Sequence, residues 1–203
     1  EALCSLARYA FECPSCPFPE FVEDSEPATF VASELKHPLI PNDVCVANDV
    51  SITRERSLIM VSGSNMSGKS TLLRTVGVNL VLASCGAPVR AQGLVTSRFQ
   101  VGCAMRANDS LKQGVSLFYA TISRLKNIVE LAGKSPPLLF LLDEILQGTN
   151  SHDRRLGAQG IIKQLIRQNA MGLVTTHDLA LTEITESFGK AAANIHFVDH
   201  LEN

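Results

Sequence analysis

The sequence predicts an α/β fold with a mainly parallel central sheet flanked by helices and a peripheral β region. Three observations lead there. Apolar runs that end in polar residues alternate with helical patterns from residue 58 onward, and such alternation favours parallel strands covered by helices. Leu138, Leu139, Phe140, Leu141 and Leu142 form an unbroken apolar run, as expected of a strand buried on both faces. Between another such run and a long helical pattern lies Gly63-Ser64-Asn65-Met66-Ser67-Gly68-Lys69-Ser70, which meets the GxxxxGK[ST] spacing in full.

Taken in order, residues 1–12 read as the end of a helix, stopped by the prolines of Cys13-Pro14-Ser15-Cys16-Pro17-Phe18-Pro19. The acidic residues 20–27 continue as linker. Residues 1–28 are therefore assigned to the end of a preceding helical segment and its linker, and residues 29–203 to one compact domain. Residues 30–35 and 44–52 supply peripheral strands. A strand at 58–61 leads into the loop, and a helix over 69–84 follows. That helix carries Leu72, Leu73, Val76, Val78, Leu80, Val81 and Leu82 on nearly all sides, which predicts burial against the sheet and a neighbour. Residues 86–111 are ambiguous, with short β-like pieces near Val95 and Val101. After Ser116, the spacing of Phe118, Ile122, Leu125, Val129 and Ala132 puts one apolar stripe on a helix that residues 133–137 end. The run at 138–142 closes on Asp143-Glu144. A helix over 153–169, a strand over 172–176, a helix over 178–188 and a strand at 195–198 complete the pattern.

Length and composition agree with this reading. A chain of 203 residues, 45% hydrophobic and 19% charged, suffices for one well-filled domain. No run approaches eighteen apolar residues, so no membrane contact is expected in this segment. The first residue is Glu1 rather than Met, as expected of a piece of a longer protein. A formal charge of −2 argues against a domain that grips nucleic acid through a strongly basic face. Of six cysteines only Cys13 and Cys16 form a CxxC, and no second pair completes a zinc site. The six read as reduced thiols of an intracellular, cytoplasmic protein.

The chemistry concentrates at strand ends. Gly63 and Gly68 allow backbone N–H groups to turn inward around phosphate, as in P-loop NTPases, with Ser64, Asn65, Met66 and Ser67 between them. Lys69 can reach the β and γ phosphates, Ser70 can ligate Mg²⁺, and the helix N-terminus beginning there favours anions. Asp143 and Glu144 emerge from a central strand, where Asp143 would hold the metal and Glu144 would orient or deprotonate the attacking water. His177 ends the strand at 172–176 and can sense a γ-phosphate, or simply cap a strand or helix. Ser116 can serve as an N-cap, and at a helix N-terminus it can equally face the phosphate of a second molecule.

Together, residues 63–71 (Gly63 through Thr71), residues 138–153 and residues 174–177 resemble the ATPase domain of the MutS family of DNA mismatch-recognition proteins. The distinguishing parts are Asn-Met-Ser-Gly-Lys-Ser-Thr in the loop and Asp-Glu-Ile-Leu-Gln-Gly-Thr-Asn-Ser after the acid pair, and the similarity runs over roughly 35–203. The wording resembles a divergent bacterial MutS-related branch. Fold and cofactors follow from the resemblance: an ABC-type ATPase sandwich that uses ATP and Mg²⁺. It also implies that Ser116 completes the nucleotide site of an opposing subunit, that Thr149, Asn150, Ser151 and Asp153 link the two sites, and that His177 is a switch. Departures are visible. Ile145-Leu146-Gln147 precede Gly148 where the family commonly has x-Gly-Arg, Thr121 stands at an acidic position, and Cys45 stands where family members place an adenine-stacking aromatic residue.

The function so implied is ATP hydrolysis by a homodimer that controls DNA clamping. Mismatched or structured DNA would be held by regions outside this chain, with downstream repair proteins as partners and the nucleoid as location. An alternative is a nucleotide-operated scaffold ATPase of another chromosome-associated or transporter-like complex. A module that holds ATP without turnover fits less well with Lys69, Ser70, Asp143 and Glu144 all present.

Overall fold

The computed structural model describes residues 1–64, 66–105, 117–146 and 150–198. It divides into two compact units, one of Glu1–Thr53 with Thr71–Arg98 and one of Arg54–Ser70 with Phe99–Asn203.

The first unit opens with α1 (Ala2–Glu12), none of whose side chains is buried. Its sheet has the order β1 (Glu20–Phe21), β5 (Gly93–Thr96), β2 (Thr29–Leu35), β3 (Asn48–Thr53). β2 runs antiparallel to both β3 and β5, and the short β1 joins β5 in parallel. Alternation sets which face is covered: Phe30, Ala32 and Leu35 of β2 and Val50 and Ile52 of β3 are buried. Most of α2 (Lys69–Ser84) also lies in this unit. Leu72, Leu73, Val76, Leu80 and Ala83 are buried, but Arg74, Val78, Val81 and Ser84 form an exposed stripe. The expectation of burial on nearly all sides is thus corrected: the helix is one-sided, and its valines Val78 and Val81 face outward. Fully buried Asn79 anchors it, donating to Lys36 O (3.0 Å) and accepting from Arg90 N (2.7 Å).

Cys13 and Cys16 are joined as a disulfide, which corrects their reading as reduced thiols. The turn that ends α1 makes the approach possible, because Cys16 N donates to Cys13 O at 3.0 Å and the Cα atoms lie 5.4 Å apart. Cys4, Cys45, Cys85 and Cys103 are free thiols.

The second unit holds a five-stranded sheet in the order β6 (Gln100–Ala104), β7 (Leu138–Asp143), β8 (Met171–Thr176), β4 (Leu58–Gly63), β9 (Ala192–Phe197). Every neighbouring pair is parallel. The three central strands are buried along their whole length, as expected of a sheet covered on both faces. Helix α3 (Leu117–Ala132) contributes Leu125, Ile128 and Ala132 to the core, while Ile122, which the spacing had put on the apolar stripe, lies at the exposed rim. Helix α4 (Ser151–Arg167) adds Ala158, Ile162 and Leu165. Residues 178–188 do not form one helix. A short α5 (Leu179–Thr182) passes into a 3₁₀ segment, Glu183–Ala191. The hydroxyls of Thr182, Thr185 and Ser187 each donate to the carbonyl three residues earlier, which competes with regular α-helical bonding. No helix among the described residues is long and apolar enough to cross a membrane.

Because all five strands run in parallel, the chain leaves β4, β7 and β8 at one edge of the sheet. The side chains that follow those strands are brought together there.

Candidate functional site

The loop after β4 is shaped by glycine where no other residue fits. Gly63 has φ 146°, and a Cβ there would lie 2.6 Å from Phe197 O and 2.7 Å from Ser67 Oγ. Gly68 has φ 90°, a backbone state that L side chains rarely adopt, although the space around it is open. Ser67 Oγ donates to Ser64 O at 2.9 Å and tightens the turn. Met66 is 92% exposed at the tip. Asn65 lies outside the described residues. Lys69 opens α2 and is almost wholly buried, its Nζ donating to Gly63 O at 2.8 Å and to Ser64 O. The ammonium is thereby folded back into the concave side of the loop, where it meets backbone carbonyls. An anion entering that concavity would meet Lys69 and the free N–H groups at the start of α2.

Asp143 ends β7 in register with Thr175 of β8, and Thr175 in turn is level with Val61 of β4. Its carboxylate is buried, and one oxygen, Oδ1, accepts from Ser70 Oγ at 2.9 Å and from Thr175 Oγ1 at 2.5 Å. Charge-assisted bonds of this kind fix a carboxylate's orientation. Ser70 and Asp143 together form an all-oxygen donor pair suited to a small hard cation such as Mg²⁺. Among the described residues no group of three or more His, Cys, Asp or Glu side chains could hold a metal alone. A cation at this pair would therefore draw its other ligands from water or phosphate oxygens, which is the habit of Mg²⁺.

Glu144 follows at φ 48°, a left-handed conformation that is costly for a side chain of this kind. Its N–H donates to both Thr175 O and Thr175 Oγ1 at 3.2 Å, which holds the turn in place. The carboxylate is 8% exposed and lies 3.1 Å from His177 Nδ1, whose ring is 42% exposed. A sheltered carboxylate beside an imidazole is an arrangement able to hold and pass a proton. Gly63, Ser64, His177, Leu179 and His196 line a cleft of about 350 Å³.

The structure thus brings Gly63, Ser64, Ser67, Gly68, Lys69, Ser70, Asp143, Glu144 and His177 to one end of one sheet. Thr71 continues α2 one residue beyond, where Thr75 Oγ1 bonds its carbonyl at 2.7 Å. Ser116, Gln147, Gly148 and Thr149 lie outside the described residues, whereas Asn150 caps α4 and Asp153 sits in its first turn. Sequence reasoning missed Thr175, which serves Asp143 and Glu144 together, although a Thr-Thr pair closing an apolar strand is an audible signal. It also missed His196, whose Nδ1 is 2.9 Å from Ser62 Oγ, and Arg154, which pairs with Asp178 across 24 residues of sequence.

Comparison with known proteins gives the family. A family model described as MutS domain V matches residues 59–203, beginning within β4. The DNA mismatch repair protein MutS of Geobacillus sp. (strain WCH70) is 32% identical over 184 residues, which is 88% of this chain and 21% of that protein. The protein of the same name from Thermotoga petrophila is 33% identical over 156 residues, 75% of this chain and 19% of its own length. That of Shouchella clausii is 32% identical over 167 residues, covering 79% and 19%. The chain spans about a fifth of the length of these relatives. With the family model covering well over half of its residues, the chain belongs to the MutS family, as a C-terminal domain of that family.

Proposed function

We propose that this chain is the P-loop, ABC-type ATPase domain of a MutS-like protein that recognises mismatched or structured DNA, and that two copies dimerise around ATP to control DNA clamping. The observation that carries the reading is the meeting of Lys69 and Ser70 from one loop with Asp143 and Glu144 from the next strand but one. Residues 29–203 constitute the nucleotide domain on this reading, and residues 1–28 lead into it from a preceding helical segment. The lack of buried side chains on α1 supports setting that helix apart, whereas β1 pairs with β5 and ties residues 20–21 to the sheet of the first unit.

In the proposed mechanism the N–H groups of residues 63–70 and the Lys69 ammonium bind the β and γ phosphates. Ser70 and Asp143 would hold Mg²⁺, which would supply charge neutralisation on the phosphate oxygens. Glu144, sheltered and pointed by its turn, orients the attacking water and takes its proton. His177 holds the Glu144 carboxylate and can donate toward the departing charge. DNA contact belongs to regions outside this chain, because the segment has no net positive charge to offer. The relatives' name, DNA mismatch repair protein MutS, supports a DNA-repair role for the whole protein, and a nucleoid location is part of the proposal.

The test is Glu144→Gln in the full-length protein. Mg·ATP binding should remain within about twofold, while turnover should fall by roughly 10² to 10⁴. Unchanged turnover would remove Glu144 from the mechanism. A full-length protein that binds mismatched, branched and perfect duplexes equally and weakly at stated salt would favour the scaffold reading instead.

A further inference from the structure

Asp178, the residue immediately after His177, is pinned at three points. Its Oδ1 accepts from Ala180 N at 3.0 Å and so caps α5, and its own N–H donates to Thr176 Oγ1 at 3.0 Å. Its second oxygen, Oδ2, faces Arg154 Nη1 at 3.6 Å. His177 is therefore held between two residues with little freedom. Arg154 stands in the first turn of α4, the helix that follows β7 and Glu144 in the chain. The neighbouring Arg155 adds a second strap, reaching Glu183 Oε2 at 2.9 Å at the start of the 3₁₀ segment.

The Arg154–Asp178 pair differs from the surface ion pairs. Its side chains are 18% and 23% exposed, whereas Arg8–Glu12, Arg98–Asp24 and Lys126–Glu130 all have partners more than half exposed. A sheltered pair is screened less by salt and holds a more definite geometry. The connectivity then closes a loop. At one end Glu144 touches His177, and at the other the helix that follows Glu144 is tied to the residue that follows His177.

We propose that Arg154 and Asp178 are positioning residues that hold His177 against Glu144, so that a shift in the first turn of α4 is transmitted to the hydrolytic carboxylate. The inference rests on the reading of Glu144 and His177 as the hydrolytic pair. Neither Arg154 nor Asp178 touches the reacting atoms. Their effect falls on the rate of the chemical step, and nucleotide binding through residues 63–70 is left intact.

The experiment measures kcat, the dissociation constant for Mg·ATP and the melting temperature of the full-length protein carrying Arg154→Ala, Arg154→Lys, Asp178→Asn and the double variant Arg154→Ala/Asp178→Asn, with Glu144→Gln as control. Asp178→Asn keeps the capping oxygen and removes the charge. Each of Arg154→Ala and Asp178→Asn is expected to lower kcat by roughly tenfold or more, the scale of a small misplacement at a reacting centre, with nucleotide affinity within about twofold of the parent. Arg154→Lys should recover most of the rate. The double variant should be no slower than the worse single one, because the two side chains act as a unit. Unaltered kcat in the single variants, additive losses in the double, or parallel losses of kcat, affinity and melting temperature would each overturn the proposal, provided that Glu144→Gln stops turnover. If Glu144→Gln leaves turnover unchanged, the hydrolytic reading beneath the proposal fails and the positioning role falls with it.

Discussion

Asp143 shows how a single buried charge can be made tolerable by two hydroxyls. Its Oδ1 accepts from Ser70 and Thr175, one from the helix that follows the loop and one from the adjacent strand. Thr175 does a second task by accepting from Glu144 N with both its carbonyl and its hydroxyl. Replacing Thr175 by Val keeps the shape of the side chain but leaves Asp143 with one donor fewer and Glu144 N with one acceptor fewer. We expect Thr175→Val to destabilise the domain by about 1–3 kcal/mol, the usual cost of removing one partner from a buried polar group. Chemical denaturation would report it as a lower midpoint at constant slope, and an unmoved midpoint would contradict this account. The placement of Lys69, Ser70, Asp143 and Glu144 at one end of the sheet was legible in the sequence because it follows from local spacing and from a polar end on an apolar run. Thr175 was not, because its importance depends on the pairing of β7 with β8. That register becomes visible only when residues 32 positions apart are laid side by side.

At the scale of elements, the strands that carry the site were the most readable features. Leu138–Asp143, Met171–Thr176 and Leu58–Gly63 are short apolar runs bounded by polar or glycine residues, and burial on both faces leaves little choice about what they become. Helices were less faithful to their patterns. In α2 the exposed Val78 and Val81 mislead any count of apolar residues, and the serine and threonine hydroxyls of residues 182–187 divert what reads as a helix into a 3₁₀ segment. The start of α4 was expected near Asp153 and lies at Ser151, because Asn150 is the cap. Asn150 Oδ1 accepts from Asp153 N at 2.8 Å, and its amide donates back to Asp153 Oδ2 at 2.6 Å. This reciprocal pair closes the first turn of the helix that bears Arg154 and Arg155. Asn150→Ala should cost about 1 kcal/mol, whereas Asn150→Asp should cost less because a carboxylate also accepts from Asp153 N, although it faces the Asp153 charge. Thermal melts of both variants beside the parent would check the order, and equal stability of Asn150→Ala and the parent would show that the cap contributes nothing.

For the whole molecule, the match to MutS domain V begins within β4 and runs through all the elements that carry the site. The family was legible because two stretches, the loop at 63–70 and the residues after the acid pair, carry unusual wording at a fixed separation. Pairing of two copies is implied only by the resemblance, since Ser116 has no chemistry of its own that would demand a second subunit. Its proposed role in trans nevertheless has a definite consequence. Met66 in the loop is 92% exposed, so its side chain is accessible to a second copy. If its Ser116 completes the site, specific ATPase activity should rise with protein concentration and then level off. Ser116→Ala should lower the plateau by about 100-fold, the scale of losing one donor to a developing charge. Mixing offers a sharper measurement. Ser116→Ala and Glu144→Gln chains are each expected to be inactive alone, yet their heterodimer contains one site with an intact Glu144 from the first chain and an intact Ser116 from the second. Equimolar mixing should therefore restore part of the parent's turnover. A mixture as inactive as its components, together with a rate per chain independent of concentration, would show that each copy hydrolyses ATP by itself.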